Sequence, residues 1–148
     1  MNLLTTAAAI ATAYASTTAT NGSQTEGLTL CTHLLPDQLP GKGPVLLVYP
    51  PTGVLSVGVS RIRADEMDFP VRLMRDPASY PIRTGWAYAW FDALRDVIRD
   101  GETLGLSYVS WARLIEARVE IDGAEYAGAP YGDLVELTVR IHFGDLQP

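Results

Sequence analysis

The stretch Phe69–Gly101, "FPVRLMRDPASYPIRTGWAYAWFDALRDVIRDG", carries the two clearest secondary-structure patterns of the chain. Its first part alternates large apolar side chains with Arg72 and Met74, which is the two-residue period of a strand with one buried face. Its second part repeats apolar side chains at helical spacing. The helical stripe consists of Trp86, Trp90, Leu94, Val97 and Ile98. Pro81 suits the first helical turn and Gly101 the end of the helix, so a strand, a turn and a helix are predicted.

Outside this stretch, apolar periodicity and turn-forming residues divide the chain into further elements. Residues 1–20 have helical spacing, residues 17–29 are small and polar and indicate a loop, and a short element is predicted at Leu30–Leu35. Residues 36–44 contain three prolines, which exclude a regular helix there. Strands are predicted at 45–51, 53–67 and 69–76, and, after the second helix, at 105–111, 112–122 and 133–143.

The resulting element order is α-βββ-α-βββ. Strands in consecutive hairpins, with helices segregated from them, predict an α+β fold with a mainly antiparallel sheet and two principal helices packed on one face. A ten-residue loop, 123–132, is expected between the last two strands. The length of 148 residues fits a single domain over 1–148.

The N-terminal segment has two interpretations. It is apolar and contains Ala-Tyr-Ala, which resembles a signal-peptidase site, but no Lys or Arg precedes Lys42. Leu3, Ala7, Ile10 and Tyr14 fall on one helical stripe. We therefore expect a packed first helix, with secretion as the alternative.

Composition and motifs argue against several functions. The net charge of −6 and the pI of about 4.7 disfavour a protein that wraps around nucleic acid, because that task needs a cationic face. Cys31 is the only cysteine and is expected to be a small buried or idle side chain. His33 and His142 have no metal-ligand spacing and are expected to be surface or interface side chains. The sequence contains no phosphate loop, dinucleotide fingerprint or nucleophile elbow. We expect no enzyme activity, no cofactor and no metal.

Aromatic residues offer possible contacts. Trp86, Trp90 and Trp111 could form a ligand cage, but helical spacing places the first two in the core. Tyr126 and Tyr131 lie in the predicted Gly/Ala loop, where they are either anchors for a protein partner or rings that pack onto the sheet. Both alternatives remain open from the sequence.

The layout of the chain resembles the tail terminator (tail-completion) proteins of long-tailed bacteriophages. The resemblance rests on an N-terminal helix followed by "LLPDQLPGKGPVLLVYP", "FPVRLMRDP", a helix of the "WAYAWFDALRDVI" type and the closing strands around "EYAGAPYGDLVELTVRIHF". The segment "TTATNGSQTEGL" departs from that layout. None of these stretches is a strict signature.

The resemblance implies a virion protein without catalysis. Such a protein forms a homo-hexameric ring on the head-proximal end of the tail tube, ends tube polymerisation and joins the tail to a head-side connector or stopper protein. DNA would pass through the ring without specific binding. Other neck or tail components, namely a head-tail adaptor or a tail tube subunit, and a small soluble ligand-binding module, are the alternatives.

Mixed charges around residues 61–68 suit contacts between neighbouring ring subunits, because such charges fix register more than they add affinity. The side chains concerned are Arg61, Arg63, Asp65, Glu66 and Asp68. The segment Asp65–Asp68, "DEMD", is expected at a solvated hairpin tip or interface loop rather than in a cation or acid–base site.

Overall fold

A computed structural model describes residues 2–57, 62–76 and 83–144 of the chain. Its helices are α1, Leu3–Tyr14, and α2, Arg83–Arg95. Its strands are β1, Thr18–Asn21; β2, Gln24–Gly27; β3, Leu30–Thr32; β4, Pro44–Val48; β5, Thr52–Val57; β6, Ile62–Arg75; β7, Val109–Tyr126; and β8, Ala129–Phe143. No helix among these residues is long and apolar enough to cross a membrane.

The strands form two sheets. β1 and β2 make a separate antiparallel hairpin, and the larger sheet has six strands in the order β3-β4-β6-β8-β7, with β5 also paired to β6. All pairs are antiparallel except β3 with β4. The predicted α+β class with a mainly antiparallel sheet is therefore confirmed.

The element order differs from the predicted α-βββ-α-βββ. In the described residues, six strands lie between the helices and two follow α2. The predicted loop 17–29 contains the β1–β2 hairpin, which turns at Gly22 with a φ of 65°. The predicted strands at 105–111 and 112–122 form one strand from residue 109 onward, because bulges absorb the irregular pattern.

The hairpin joining β7 and β8 replaces the predicted loop 123–132. Tyr126 pairs with Ala129, so only Ala127 and Gly128 form the turn. Their φ angles are 52° and 81°, as a two-residue hairpin turn of the primed type requires. The predicted turn after residue 76 and the predicted helix start at Pro81 lie outside the described residues.

The first helix is shorter than the predicted 1–20. The side chain of Asn2 accepts a hydrogen bond from the Thr5 N–H at 3.0 Å, which caps the helix. The backbone leaves the helix after Tyr14, and Thr18 already belongs to β1. β-branched threonines favour the extended backbone that follows.

The main core joins both helices to one face of the large sheet. Ile10 and Tyr14 of α1 and Trp86 and Trp90 of α2 are buried in the same apolar cluster. The sheet contributes alternate residues of four strands: Leu46, Val48, Met67, Phe69, Val71, Leu73, Val109, Ala112, Val135, Leu137, Val139, Ile141 and Phe143. The expected burial of Trp86 and Trp90 is confirmed.

A charged cluster fastens the β1–β2 hairpin to this core. Glu26 of β2 accepts hydrogen bonds from Arg75 Nε at 2.5 Å and Arg75 Nη2 at 2.8 Å. The same carboxylate accepts a hydrogen bond from Trp90 Nε1 at 2.6 Å. The guanidinium of Arg75, whose side chain is 6% exposed, also lies over the ring of Trp86 at 4.8 Å. One carboxylate therefore ties together the hairpin, β6 and α2.

Candidate protein-contact surface

The face of the large sheet opposite the main core is divided into an apolar end and a charged remainder. At the apolar end, Val45, Leu47, Met74, Ala124 and Leu134 form a second buried cluster. Along the rest of the face, alternate residues of β6, β7 and β8 are polar. We call this area the charged face; it consists of Glu66, Asp68, Arg72, Trp111, Arg113, Glu116, Arg118, Glu120, Glu136, Arg140 and His142.

Glu136 is the centre of one ion-pair group on the charged face. Its carboxylate contacts Arg72 Nε at 2.5 Å and Arg118 Nη2 at 2.9 Å. Arg118 also lies 3.5 Å from Glu120. Burial lowers the pKa of Arg72, but the hydrogen bond and the charge of Glu136 outweigh it, so the pKa is raised. Both arginines therefore contact a carboxylate that is largely shielded from solvent.

Arg140 is the centre of a second group, further along β8. It contacts Asp68 through Nε at 2.8 Å and Nη2 at 3.1 Å, in the bidentate geometry typical of arginine and carboxylate. Glu66 lies 3.6 Å from the same guanidinium and 3.7 Å from Nδ1 of His142. The hydrogen bond to Asp68 raises the pKa of Arg140.

An aromatic stack closes the far end of the charged face. The rings of Trp111 and His142 are stacked with centroids 5.1 Å apart and an interplanar angle of 10°. The guanidinium of Arg113 lies 4.0 Å from the centroid of the Trp111 ring and forms an ion pair with Asp100 at 2.7 Å. Trp111 is thus a half-buried part of the sheet surface and lies apart from the two core tryptophans.

The sequence-predicted contact residues fall into two groups. Glu66 and Asp68 lie in β6 and share Arg140, whereas Tyr126 and Tyr131 lie at the β7–β8 turn. Among the described residues, no hydrogen bond or ion pair joins the two groups. Two further predicted contact residues, Arg63 and Asp65, lie in β6. The last one, Arg61, lies outside the described residues.

The "DEMD" segment is not at a hairpin tip as expected. It continues the alternation of β6, with Met67 buried in the core and Asp68 on the charged face. Asp65 has no residue opposite it in β5, because the register shifts there. Arg140 on β8 forms ion pairs with Glu66 and Asp68 from the next strand, which is compatible with an extended backbone through these two residues.

The two tyrosines contact the protein's own chain. The Tyr126 hydroxyl donates a hydrogen bond to the Pro36 carbonyl, and the Tyr131 hydroxyl donates to the Pro40 carbonyl at 2.7 Å. Both rings pack against the second apolar cluster. Burial raises the pKa of each hydroxyl, which keeps it protonated as a donor. The packing onto the sheet that the sequence left open is therefore observed, while contact with a partner stays a prediction.

The proline segment, residues 36–43, is held beside the β7–β8 turn by these hydrogen bonds. Between them lies an open cavity of about 530 Å³. Its lining includes Tyr49, Arg72 and Tyr126, together with the carboxylates of Asp37 and Glu125. The guanidinium of Arg72 lies 4.3 Å from the centre of the Tyr49 ring, so the cavity has an aromatic wall and charges of both signs.

Cys31 of β3 packs against the main core beside α1. The Cys31 thiol donates to the Ala11 carbonyl at 3.2 Å, and burial raises its pKa to about 11. Within residues 2–57, 62–76 and 83–144, no three His, Cys, Asp or Glu side chains are grouped so that they could hold a metal ion.

Sequence reasoning missed the side chains that organise the charged face. Arg72 and Glu136 are directly opposite each other in the β6–β8 register, yet they are 64 residues apart in the chain. The alternation within each strand predicts that both side chains lie on a polar face. It does not predict that they lie opposite each other, because that depends on the register between the two strands. No family model matches this chain, and no curated protein matches it significantly.

Proposed function

We propose that this protein is a structural assembly protein, a phage tail terminator that forms a homo-hexameric ring on the head-proximal end of the tail tube. The ring ends tube polymerisation and joins the tail to a head-side connector or stopper protein. In this role the protein belongs to the virion, catalyses no reaction and binds no cofactor.

The observation that carries the proposal is the open edge of β7. This strand is 18 residues long and lies at the end of the sheet order, with only the Glu102–Ala112 bridge on its outer side among the described residues. Natural proteins usually shorten or cover such edges, because they recruit other strands. An edge of this length is therefore suited to assembly with other chains.

The two edges of the large sheet also suit a ring. The sheet ends in β7 on one side and in the three-residue β3 on the other, so the two edges are different surfaces. A closed rotational ring needs such unlike surfaces, since each subunit contacts its neighbours through two different patches.

The charged face is proposed to set the orientation of partners. Its arginines and carboxylates alternate and are paired within the chain, so it presents both signs at short intervals. Charges of both signs across an interface fix the register of the two partners more than they increase the affinity. Glu66, Asp68, Arg63, Asp65 and Arg61 remain the proposed contacts of this region, with Tyr126 and Tyr131 at the turn.

The test is assembly on tail tubes. Light scattering coupled to size-exclusion chromatography should show the chain associating with purified tubes in a ratio of six copies per tube end. Electron microscopy should show tubes of normal length when the chain is present and overlong tubes when it is absent. Tubes whose length does not depend on the chain would contradict the terminator function and leave an adaptor or a tube subunit as the alternatives.

A ligand-binding module is the second candidate, because of the cavity beside Tyr49, Arg72 and Tyr126. The rings of Tyr49 and Tyr126 favour a small aromatic ligand. Calorimetry with the purified chain distinguishes the two candidates. Saturable binding of such a ligand, lost in Arg72→Gln, together with no effect of the chain on tubes, would favour the module.

A further inference from the structure

The outer edge of β7 has a charge pattern that is complementary to itself. Glu116, Arg118 and Glu120 lie on the charged face, while Ala117 and Val119 between them border the main core. On β7, the apolar side chains Ile115 and Ile121 flank this segment and have exposed fractions of 39% and 43%. An incoming strand would therefore need alternating charged and apolar residues.

We propose that two copies of the free protein pair antiparallel through this edge, with Ala117 opposite Ala117 of the second copy. Glu116 then lies opposite Arg118 of the second copy, and Arg118 lies opposite its Glu116. Opposite charges across an antiparallel pair stabilise it, and the two-fold symmetry makes each favourable pair occur twice.

Charge selects this register over its neighbours. A centre on Arg118 would place two arginines opposite each other and oppose Glu116 with Glu120 twice. A centre on Val119 would oppose Arg118 with Glu120, but it would also oppose Glu116 with Asp122. Like charges directly opposite destabilise a strand pair, so the Arg118 centre is disfavoured and the Val119 centre loses part of what its favourable pairs contribute. The Ala117 centre has the favourable pairs without a like-charge pair.

The rest of the edge is compatible with this pairing. The Glu102–Ala112 bridge occupies the start of β7, through hydrogen bonds of 2.6 and 3.0 Å to Ala112, and lies outside the paired segment of both copies. Ala117 would meet Ala117 of the second copy and Val119 would meet its Ile115, so apolar side chains continue the row of the core across the edge. In an antiparallel ladder, alternate residues direct N–H and C=O outward, which supplies the hydrogen bonds.

The dimer goes beyond the proposed ring and does not depend on it. Two-fold pairing uses one surface twice and therefore closes on itself. It would cover the edge of β7 in the free protein and keep it from recruiting other chains. Assembly on a tube would then require the dimer to dissociate.

Charge reversal tests the pairing. Sedimentation velocity of the full chain should show a concentration-dependent dimer. Glu116→Arg should weaken dimer association at least about tenfold, since two opposite-charge contacts become like-charge contacts. Arg118→Glu should do the same, and an equimolar mixture of the two variants should restore dimers, because each variant supplies the charge that the other needs. Thermal melts check that both variants fold, which matters for Arg118→Glu because Arg118 contacts Glu136.

A crosslinking experiment tests the register independently of charge. In a Cys31→Ser background, Ala117→Cys should form an intermolecular disulfide, since residues paired across the two-fold axis have Cα atoms about 5.5 Å apart. Val119→Cys is the matched control and should not crosslink. A monomer at all concentrations, or equal crosslinking at both positions, would overturn the proposal. If the chain formed a hexamer that Glu116→Arg did not affect, the proposed dimer would be wrong and the proposed ring would still stand. If the chain formed the dimer but did not change the length of tubes, the dimer would stand and the terminator function would be wrong.

Discussion

Glu26 shows how one residue can hold distant parts of this molecule together. It lies in a short polar hairpin, yet its carboxylate accepts three hydrogen bonds, two from Arg75 and one from Trp90. Hydrogen bonds to charged groups contribute more to stability than neutral ones, and a buried donor left without an acceptor is costly. The position of the β1–β2 hairpin therefore depends on this side chain.

We expect Glu26→Ala to lower the free energy of unfolding by about 1.5–3 kcal/mol, because Arg75 loses its two hydrogen bonds to this carboxylate and the indole N–H of Trp90 loses this acceptor. Urea denaturation measures the change. Asp92→Ala is the control, since the Asp92–Arg95 pair at 3.5 Å is exposed and should contribute less than about 0.5 kcal/mol. Equal effects of the two substitutions would contradict the anchoring role of Glu26.

Cys31 gives the stability a specific pH dependence. Burial raises the pKa of its thiol to about 11, above the ordinary value for an unfolded chain. At a pH between those two values, the unfolded chain has released a proton that the folded chain still holds. Stability contributed by the neutral thiol is therefore present below the unfolded pKa and lost as the pH rises through about 11.

We expect Cys31→Ala to lose less stability than the wild type between pH 8 and pH 11. The denaturant midpoint of each protein is measured at both pH values, and the loss in Cys31→Ala is subtracted from the loss in the wild type. The tyrosines and Lys42 titrate in both proteins, so their contribution cancels in this subtraction. Parallel losses in the two proteins would show that the thiol is not protected by the fold.

Among the elements, the β7–β8 hairpin has a turn whose sequence does not match its backbone. Ala127 has a φ of 52°, a left-handed conformation that costs an alanine energy and that asparagine tolerates better. Gly128 already suits the second turn position, and Asn-Gly is the preferred pair for such turns. The hairpin is therefore held by its register and its tyrosine contacts in spite of its turn.

We expect Ala127→Asn to raise the free energy of unfolding by roughly 0.5–1 kcal/mol, since it relieves the backbone strain at this position. Thermal or chemical denaturation measures the gain. Ala129→Asn is the matched control, because Ala129 lies in β8 next to the turn, where asparagine offers no such advantage. A gain at both positions would point to a cause other than the turn.

The sequence predicted some elements and missed others for physical reasons. β6 and α2 were predicted because their side chains repeat with the period of the local backbone. The β1–β2 hairpin was missed because Ala19 is the only residue of β1 that is buried, and Glu26 is anchored by residues far away in the chain. The partners on the charged face were also missed, since strand register is a tertiary property.

Helix α2 is fixed to the sheet by Trp90, which is fully buried. We expect Trp90→Ala to destabilise the protein by about 3–5 kcal/mol through lost packing and a residual cavity. Tyr88→Ala on the same helix is the control, because Tyr88 is 58% exposed. If stability barely changed while association failed, Trp90 would face a partner and the packing of α2 would be wrong.

At the scale of the whole molecule, the net charge of the chain does not describe the charge state of its charged face. The chain has a formal net charge of −6, yet the cations of the charged face are held in ion pairs with neighbouring carboxylates. A surface of paired charges attracts DNA phosphates weakly, because the arginines are already neutralised. Such a surface would suit the wall of a channel through which DNA passes without stalling.

This hypothesis predicts the effect of Glu66→Arg. Glu66 lies 3.6 Å from Arg140 and is 43% exposed, so the substitution adds an unpaired cation beside an existing one. Because Asp68 still holds Arg140, we expect the fold to persist. If the charged face lines the channel, DNA delivery should slow, and raising the salt concentration should restore it by screening the new attraction.

The matched control for Glu66→Arg is Asp92→Arg, which makes the same change of charge on the exposed side of α2. The measurement is the rate of DNA release from particles carrying each variant, with electron microscopy confirming normal tails. Slower release with Glu66→Arg alone would place the charged face toward the DNA. Equal rates for both variants and the wild type would exclude that orientation, because a cation beside passing phosphates must attract them wherever the two come within a Debye length, about 8 Å at physiological salt.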